Sequence, residues 1–208
     1  MSDIKQLERL YSHSYLSFIA TLFSAILVLW LFQTVAESLV LKSWFAIFSI
    51  LTFIRIAVTY HFEKSDQNNT ESWLMIFLIM TFFSGVMWGI TGFIFIPEGL
   101  LSLVDSVLYH GMLLLFIVAL ITGSIITYSA SKLVYLYFSV PAIVPQCLML
   151  ISKGDIYHSF LGGYVLAYAC IMFVVSIYIN QIFFKYSKVE EQYESLKSTL
   201  EKHGIKFK

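Results

Sequence analysis

Four polar side chains near the ends of hydrophobic segments have the chemistry to bind a ligand or a metal ion: His110, His158, Asp105 and Asp155. Imidazoles and carboxylates are common metal ligands, and an imidazole also binds haem iron. Each histidine lies within about one turn of the end of a segment, where an incoming ligand would pass. Their spacing matches no metal-binding motif such as HExxH, so solvated loop residues are the simpler explanation. The sequence therefore predicts neither a metal site nor a cofactor.

Arg55 is the ionisable residue that lies clearly inside a hydrophobic segment, about six residues and roughly 9 Å from its end. Such a residue at membrane depth is a functional hypothesis by default. Its side chain either extends to the lipid phosphates, or it makes a bond inside the helix bundle that transmits a conformational change. No acidic residue lies at a matching depth, which weighs against an ion pair.

Two further segments combine polar, aromatic and helix-bending residues. The stretch SGVMWGITG places Trp88 between glycines spaced for close helix packing, so its ring faces either a cavity or lipid. In SVPAIVPQ, Pro141 and Pro145 lie on one helical face, and each removes a backbone hydrogen bond. A kinked helix beside Gln146 can frame a pocket, or it can be a static bend.

The composition places these residues in a membrane protein. Hydrophobic residues make up 59% of the 208 residues, charged residues make up 12%, and the mean hydropathy is +0.80. Soluble domains average about 45–50% apolar and about 25% charged residues, so lipid must cover the excess apolar surface. The net charge of zero argues against a nucleic-acid partner. P-loop, zincin, GxSxG and CxxC motifs are absent, so the sequence predicts no catalytic residue.

A membrane helix needs about 20 mostly apolar residues. Six stretches meet this requirement: 14–36, 39–61, 73–96, 106–128, 133–151 and 157–184. Lipid-exposed backbone must be helical, so the predicted fold is an all-α bundle of six spans, residues 1–184, followed by a cytoplasmic helix, residues 185–208. Eleven Lys and Arg residues fall on one side of this topology and two on the other, which places both termini in the cytoplasm.

The charged C-terminal segment YSKVEEQYESLKSTLEKHG has a heptad pattern that begins inside the sixth span. Its apolar positions recur at spacings of four and three, and acidic and basic residues lie between them. The pattern predicts a parallel homodimer; a helix lying on the membrane surface is the alternative, although such helices favour a basic polar face. The seam residues are Ile182, Tyr186, Val189, Tyr193, Leu196, Leu200 and His203.

Several of these features occur together in a known family. The chain resembles the six-span membrane regions that precede bacterial diguanylate cyclase (GGDEF) and histidine kinase domains. The resemblance is carried by Arg55 late in the second span, by SGVMWGITGFIFIP, by ITGSIITYSAS leading to SVPAIVP, by GDIYH before the sixth span, and by the heptad exit. It implies a sensory module of the bacterial inner membrane, with an output domain in the same chain or in a separate partner. It names no ligand.

The leading expectation is therefore a sensory input module, in contact with membrane lipids, that signals through a dimeric helix. A small-molecule transporter or channel is the alternative, favoured by the prolines and the glycine-rich third span, although no internal repeat supports it. A membrane enzyme using the histidines and aspartates is a third class. The predicted ligand residues are His110, His158, Asp105, Asp155, Trp88 and Gln146; the predicted coupling residues are Arg55, Pro141, Pro145, Tyr186, Val189, Tyr193, Leu196 and Leu200.

Overall fold

A computed structural model describes residues 3–65, 69–96 and 101–202 of the chain. These residues form α-helices and connecting turns, with no strand in the described ranges, which confirms the all-α prediction. The helices are α1 (Asp3–Phe32), α2 (Ser38–Lys64), α3 (Thr70–Gly89), α4 (Thr91–Phe95), α5 (Leu103–Thr127), α6 (Lys132–Ser152) and α7 (Ile156–Lys202).

Six segments are long and apolar enough to cross a membrane, with α3 and α4 together forming the third. The chain is therefore a multi-pass membrane protein, as the composition predicts. The helices alternate in direction, so their connections fall at two ends of the bundle. The histidine end contains the α1–α2 and α6–α7 connections and carries His110 and His158. The tail end contains the α5–α6 connection and the C-terminal part of α7.

Helix α3 makes its most extensive contact with α6, because glycines remove the side chains between them. A Cβ at Gly85 would lie 2.4 Å from the Phe138 carbonyl oxygen, and a Cβ at Gly89 would lie 2.0 Å from the Pro141 carbonyl oxygen. Helix α6 is continuous across both of its prolines. Since Pro145 has no N–H, the Pro141 carbonyl has no helical donor, and it instead faces the Cα–H of Gly89.

Helix α7 is one helix of 47 residues, Ile156–Lys202. At about 1.5 Å per residue it is roughly 70 Å long, far more than the roughly 30 Å of a hydrocarbon core. Asn180 and Ser187 are buried against the bundle, whereas Tyr186 and Leu196 are exposed. The side chain of Leu200 and the whole of His203 lie outside the described part of the seam.

Candidate functional site

Two histidines that are 48 positions apart in the sequence come together at the histidine end. His110 lies in the second turn of α5 and His158 in the first turn of α7. Their ring centroids are 5.0 Å apart and their planes are perpendicular. Only 1% of His110 and 2% of His158 is exposed. Two of the predicted ligand residues therefore form a buried cluster rather than solvated loop positions.

Asp155 orients His158 and also begins α7. Its Oδ1 atom accepts hydrogen bonds from the backbone N–H groups of Tyr157 (3.1 Å) and His158 (3.0 Å), as an N-cap residue does. Its Oδ2 atom accepts from Nδ1 of His158 at 2.5 Å. The hydrogen bond from the His158 backbone, with smaller contributions from the imidazole, holds the pKa of Asp155 below its ordinary value. Asp155 is thus an ionised acceptor that fixes the imidazole ring.

Ser106 connects the two histidines and was not predicted as a site residue from the sequence. Its hydroxyl lies 3.1 Å from Nε2 of His158. Its backbone carbonyl accepts from Nδ1 of His110 at 2.7 Å. The i, i+4 spacing of Ser106 and His110 on one helical face is the signal that could have indicated this role.

These bonds determine the tautomers of both rings. A carbonyl oxygen only accepts hydrogen bonds, so Nδ1 of His110 carries the proton, and Nε2 of the neutral ring is a bare acceptor. That atom is buried and has no partner in the described structure. In the neutral form of His158, Asp155 holds the proton on Nδ1 and leaves Nε2 to accept from Ser106. In their neutral forms, both rings therefore present an Nε2 lone pair.

Asp105 has a different role from the other three predicted residues at this end. Its Oδ2 atom accepts from the Ser102 hydroxyl at 2.7 Å, and its backbone N–H donates back to the same hydroxyl at 3.2 Å. This reciprocal pair caps the start of α5. Its hydrogen bonds hold a helix end and do not join it to the histidines.

The order Asp155, His158, Ser106 matches the order of groups in a serine hydrolase triad. However, the backbone N–H of Ser106 donates to the Ser102 carbonyl at 2.9 Å, so it is not free to stabilise an oxyanion. The geometry therefore supports binding and orientation more than nucleophilic catalysis. Within the described residues, no group of three or more His, Cys, Asp or Glu side chains could hold a metal ion.

Trp88 and Gln146 lie at the break between α3 and α4. The chain leaves the helix at Ile90, and the side-chain nitrogen of Gln146 lies within 3.2 Å of the carbonyl oxygens of Trp88 and Gly89 and of the Thr91 hydroxyl. Gln146 thus replaces backbone donors that the break removes. The carbonyls of this broken span are bonded to protein, which differs from the cavity-lining breaks of transporters.

Arg55 points into the bundle and does not extend to the lipid surface. It is 4% exposed, and its guanidinium donates to Ser84 Oγ (2.8 Å) and to the Tyr128 hydroxyl (3.2 Å). The guanidinium carbon also lies 4.9 Å from the centre of the Phe18 ring. All three partners are uncharged, so among the described residues the cation is stabilised by hydrogen bonds and a π face without a carboxylate.

The turn that follows α5, residues 128–130, receives a hydrogen bond from each of three other helices. The bonds run from Arg55 of α2 to the Tyr128 hydroxyl (3.2 Å), from Asn180 of α7 to the Ser129 carbonyl (2.7 Å) and from Gln6 of α1 to the Ala130 carbonyl (2.5 Å). This 128–130 turn therefore connects the buried Arg55 with the helix that leaves the bundle.

Comparison of the chain with protein-family models, curated proteins and solved structures finds no match. Its function is therefore inferred from the geometry of its own residues.

An apolar cavity of about 300 Å³ lies between α1 and α5, with Phe138 of α6 in its wall. Gly123 lines it, and a Cβ there would meet no atom within 4 Å. The hydroxyls of Ser124 and Thr127 are bonded to carbonyls of their own helix. The cavity consequently presents an apolar surface, of the kind that lipid chains cover.

Proposed function

We propose that this chain is the membrane-embedded sensory module of a bacterial signalling protein. It receives a ligand or membrane signal within the bundle and transmits it through α7 to a cytoplasmic output domain of the diguanylate cyclase or histidine kinase type. The observation that carries the proposal is an exposed apolar seam on a helix that is continuous with the sixth span.

The seam fits a second copy of this chain. Tyr186 is 73% exposed and Leu196 is 59% exposed, and Val189 and Tyr193 are exposed on the same stripe. Asn180 and Ser187, which face the bundle, lie about 150° around the helix from the centre of this stripe. Packing within one chain thus leaves the seam available, and in a parallel dimer each seam residue meets its own counterpart.

The 128–130 turn supplies the connection from bundle to seam. A movement of α2 that shifts Arg55 changes its bond to Tyr128, and the next residue, Ser129, holds Asn180 of α7. Asn180 precedes Tyr186 by less than two helical turns. A small shift in the bundle can therefore rotate or translate the seam, which is a recognised form of switching at helix interfaces.

The same proposal includes the orientation in the bacterial inner membrane. The Lys and Arg asymmetry of the sequence favours a cytoplasmic tail end. The histidine end then faces the periplasm, where His110 and His158 lie near the entrance for an external ligand.

Cysteine crosslinking of the full chain in membranes tests the dimer. Leu196→Cys should form a disulfide between chains efficiently, because this position lies on the seam. Glu191→Cys is the matched control: its backbone position lies about 140° around the same helix from Leu196, away from the seam, so it should crosslink poorly. Equal crosslinking at both positions, or none at either, would refute transmission through a parallel α7 pair.

A further inference from the structure

The apolar cavity between α1 and α5, termed the α1–α5 groove, opens sideways toward the membrane. Exposed residues of both helices form its rim, and buried residues form its floor. The rim includes Leu16, Ala20, Ala119, Gly123 and Ile126, and the floor includes Thr21, Leu120, Ser124, Thr127 and Phe138. These residues all lie in segments that are long and apolar enough to cross a membrane. The molecules next to the opening are therefore the hydrocarbon chains of phospholipids.

The chemistry of the floor selects a hydrocarbon. The hydroxyls of Thr21, Ser124 and Thr127 each donate to a carbonyl of their own helix. A buried water molecule needs about two to four polar partners, which these bonded hydroxyls do not supply. A hydrocarbon chain needs none, and it restores the packing contacts that an empty space forfeits.

The size of the groove fits a single chain. Along α5 the rim runs from Ala119 to Ile126, about 10 Å, whereas the hydrocarbon of one leaflet is roughly 15 Å deep. The volume is about 300 Å³, roughly ten times the share of one water molecule, and a methylene group is of similar size. An α-helix, about 10 Å across, would fill roughly 800 Å³ over the same length. The groove is thus too small for a helix of a second protein.

Gly123 keeps the groove open and also gives its depth. A Cβ at this position would meet no atom within 4 Å, so close packing inside the chain does not explain the glycine. Glycine within a helix is less stabilising than alanine, which makes an occupant from outside the chain the better explanation. Gly123 lies four positions before Thr127, the last residue of α5. The groove therefore opens into the leaflet at the tail end.

The floor of the groove contacts the connection between Arg55 and α7. The ring of Phe138 lies 6.2 Å from the ring of Tyr128, whose hydroxyl accepts from Arg55. If the groove were empty, α1 and α5 would have to move together to recover the lost packing. Because the 128–130 turn follows α5 directly, such a movement would shift the turn and its hydrogen bond from Asn180 of α7.

We propose that the α1–α5 groove binds one acyl chain of a phospholipid from the leaflet at the tail end. This chain is the membrane signal of the proposed function: its presence and packing set the position of the 128–130 turn and so of α7. The sensory role of the groove rests on the proposed function, whereas the binding of the chain does not.

The test uses the full chain in nanodiscs of phosphatidylethanolamine and phosphatidylglycerol, with a trace of phosphatidylethanolamine that carries a photoreactive diazirine midway along one acyl chain. After irradiation, mass spectrometry should find label on Leu120 and Phe138, which are 9% and 3% exposed and are reached only from within the groove. Gly123→Phe fills the groove and should lower this labelling at least ten-fold. Gly163→Phe, the same substitution at an exposed glycine of α7 that also meets no atom within 4 Å, is the matched control and should leave it unchanged.

Absence of label on Leu120 and Phe138, or equal labelling in Gly123→Phe, would overturn the binding of a chain. Loss of the label on addition of oleic acid, but not of an equal amount of unlabelled phospholipid, would overturn the assignment to a phospholipid.

The Leu196→Cys crosslink, measured in the same nanodiscs, tests the sensory role. Gly123→Phe should change the rate of disulfide formation at least two-fold, because it fixes the groove in a filled state. An unchanged rate in a variant that has lost the label would overturn the sensory role of the groove. Efficient crosslinking without any label on the floor would overturn the groove as a binding site and leave the proposed function standing.

Discussion

The hydrogen bond between Arg55 and Tyr128 allows a quantitative test of how the bundle carries a buried charge. Tyr128→Phe removes the hydroxyl but keeps the ring, which is buried against the bundle. A hydrogen bond to a charged group contributes about 1.5–3 kcal/mol, and its loss leaves one arm of a 4% exposed guanidinium without that partner. We therefore expect Tyr128→Phe to lower the free energy of unfolding by about 2 kcal/mol.

The same substitution should have a different effect when the charge is absent. Replacing a buried charged group by an apolar side chain of similar volume is often neutral or stabilising, so Arg55→Met should cost little. In the Arg55→Met background, the Tyr128 hydroxyl has already lost its donor. Tyr128→Phe should then lower the free energy of unfolding by about zero kcal/mol. The coupling free energy of the double-mutant cycle should then be about 1.5–3 kcal/mol.

The assay is reversible denaturation of the four proteins in mixed micelles, followed by circular dichroism. Tyr137→Phe, which alters a tyrosine that is exposed on α6, is the control and should change stability by less than about 0.5 kcal/mol. If Tyr128→Phe lowers the free energy of unfolding equally in both backgrounds, the hydrogen bond from Arg55 to Tyr128 does not stabilise the bundle. That result would also remove the first step of the proposed transmission route.

Two other predictions concern packing and topology. Gly89→Ala places a Cβ 2.0 Å from the Pro141 carbonyl oxygen and should destabilise the protein by about 1–3 kcal/mol. The control is Gly111→Ala, whose Cβ would meet no atom within 4 Å. That variant should be neutral or stabilising by up to about 1 kcal/mol. Thermal unfolding in detergent compares the two, and equal midpoints would contradict the close α3–α6 contact. Reporter fusions after Lys64 and Lys132 should both report a cytoplasmic location; a periplasmic signal from either would overturn the proposed orientation.

The number and class of the helices could be predicted because each span needs a long apolar run, and such runs are visible without any tertiary information. The break of the third span at Ile90 could not, because the apolar run continues through it, and its carbonyls are satisfied by Gln146 from another helix. Pro141 and Pro145 lie within a continuous α6, and the sequence could not show that the carbonyl left without a donor faces a glycine of α3.

The candidate site was predicted in part. His110, His158 and Asp155 were identified by residue type, but Asp105 was grouped with them although it caps α5. The depth of Arg55 in its span could not show whether its side chain extends to the lipid phosphates or into the bundle. That orientation depends on which face of α2 packs against the other helices. The 128–130 turn was missed because two of its three bonds end on backbone carbonyls, which every residue possesses.

Because α7 continues well beyond the bundle, a small tilt of the sixth span produces a larger displacement at the end of the helix. Ser187 is its last buried residue among the described side chains, and Lys202 lies 15 residues further, about 22 Å at 1.5 Å per residue. A tilt of about 10° at Ser187 would move that tip sideways by about 4 Å. Close to Ser187, Arg9 of α1 forms an ion pair with Glu190 of α7 at 2.5 Å, and both side chains are at least one-third exposed. Such an exposed ion pair contributes at most about 1 kcal/mol and weakens with salt. It is therefore only a small energetic barrier to a tilt of the C-terminal part of α7.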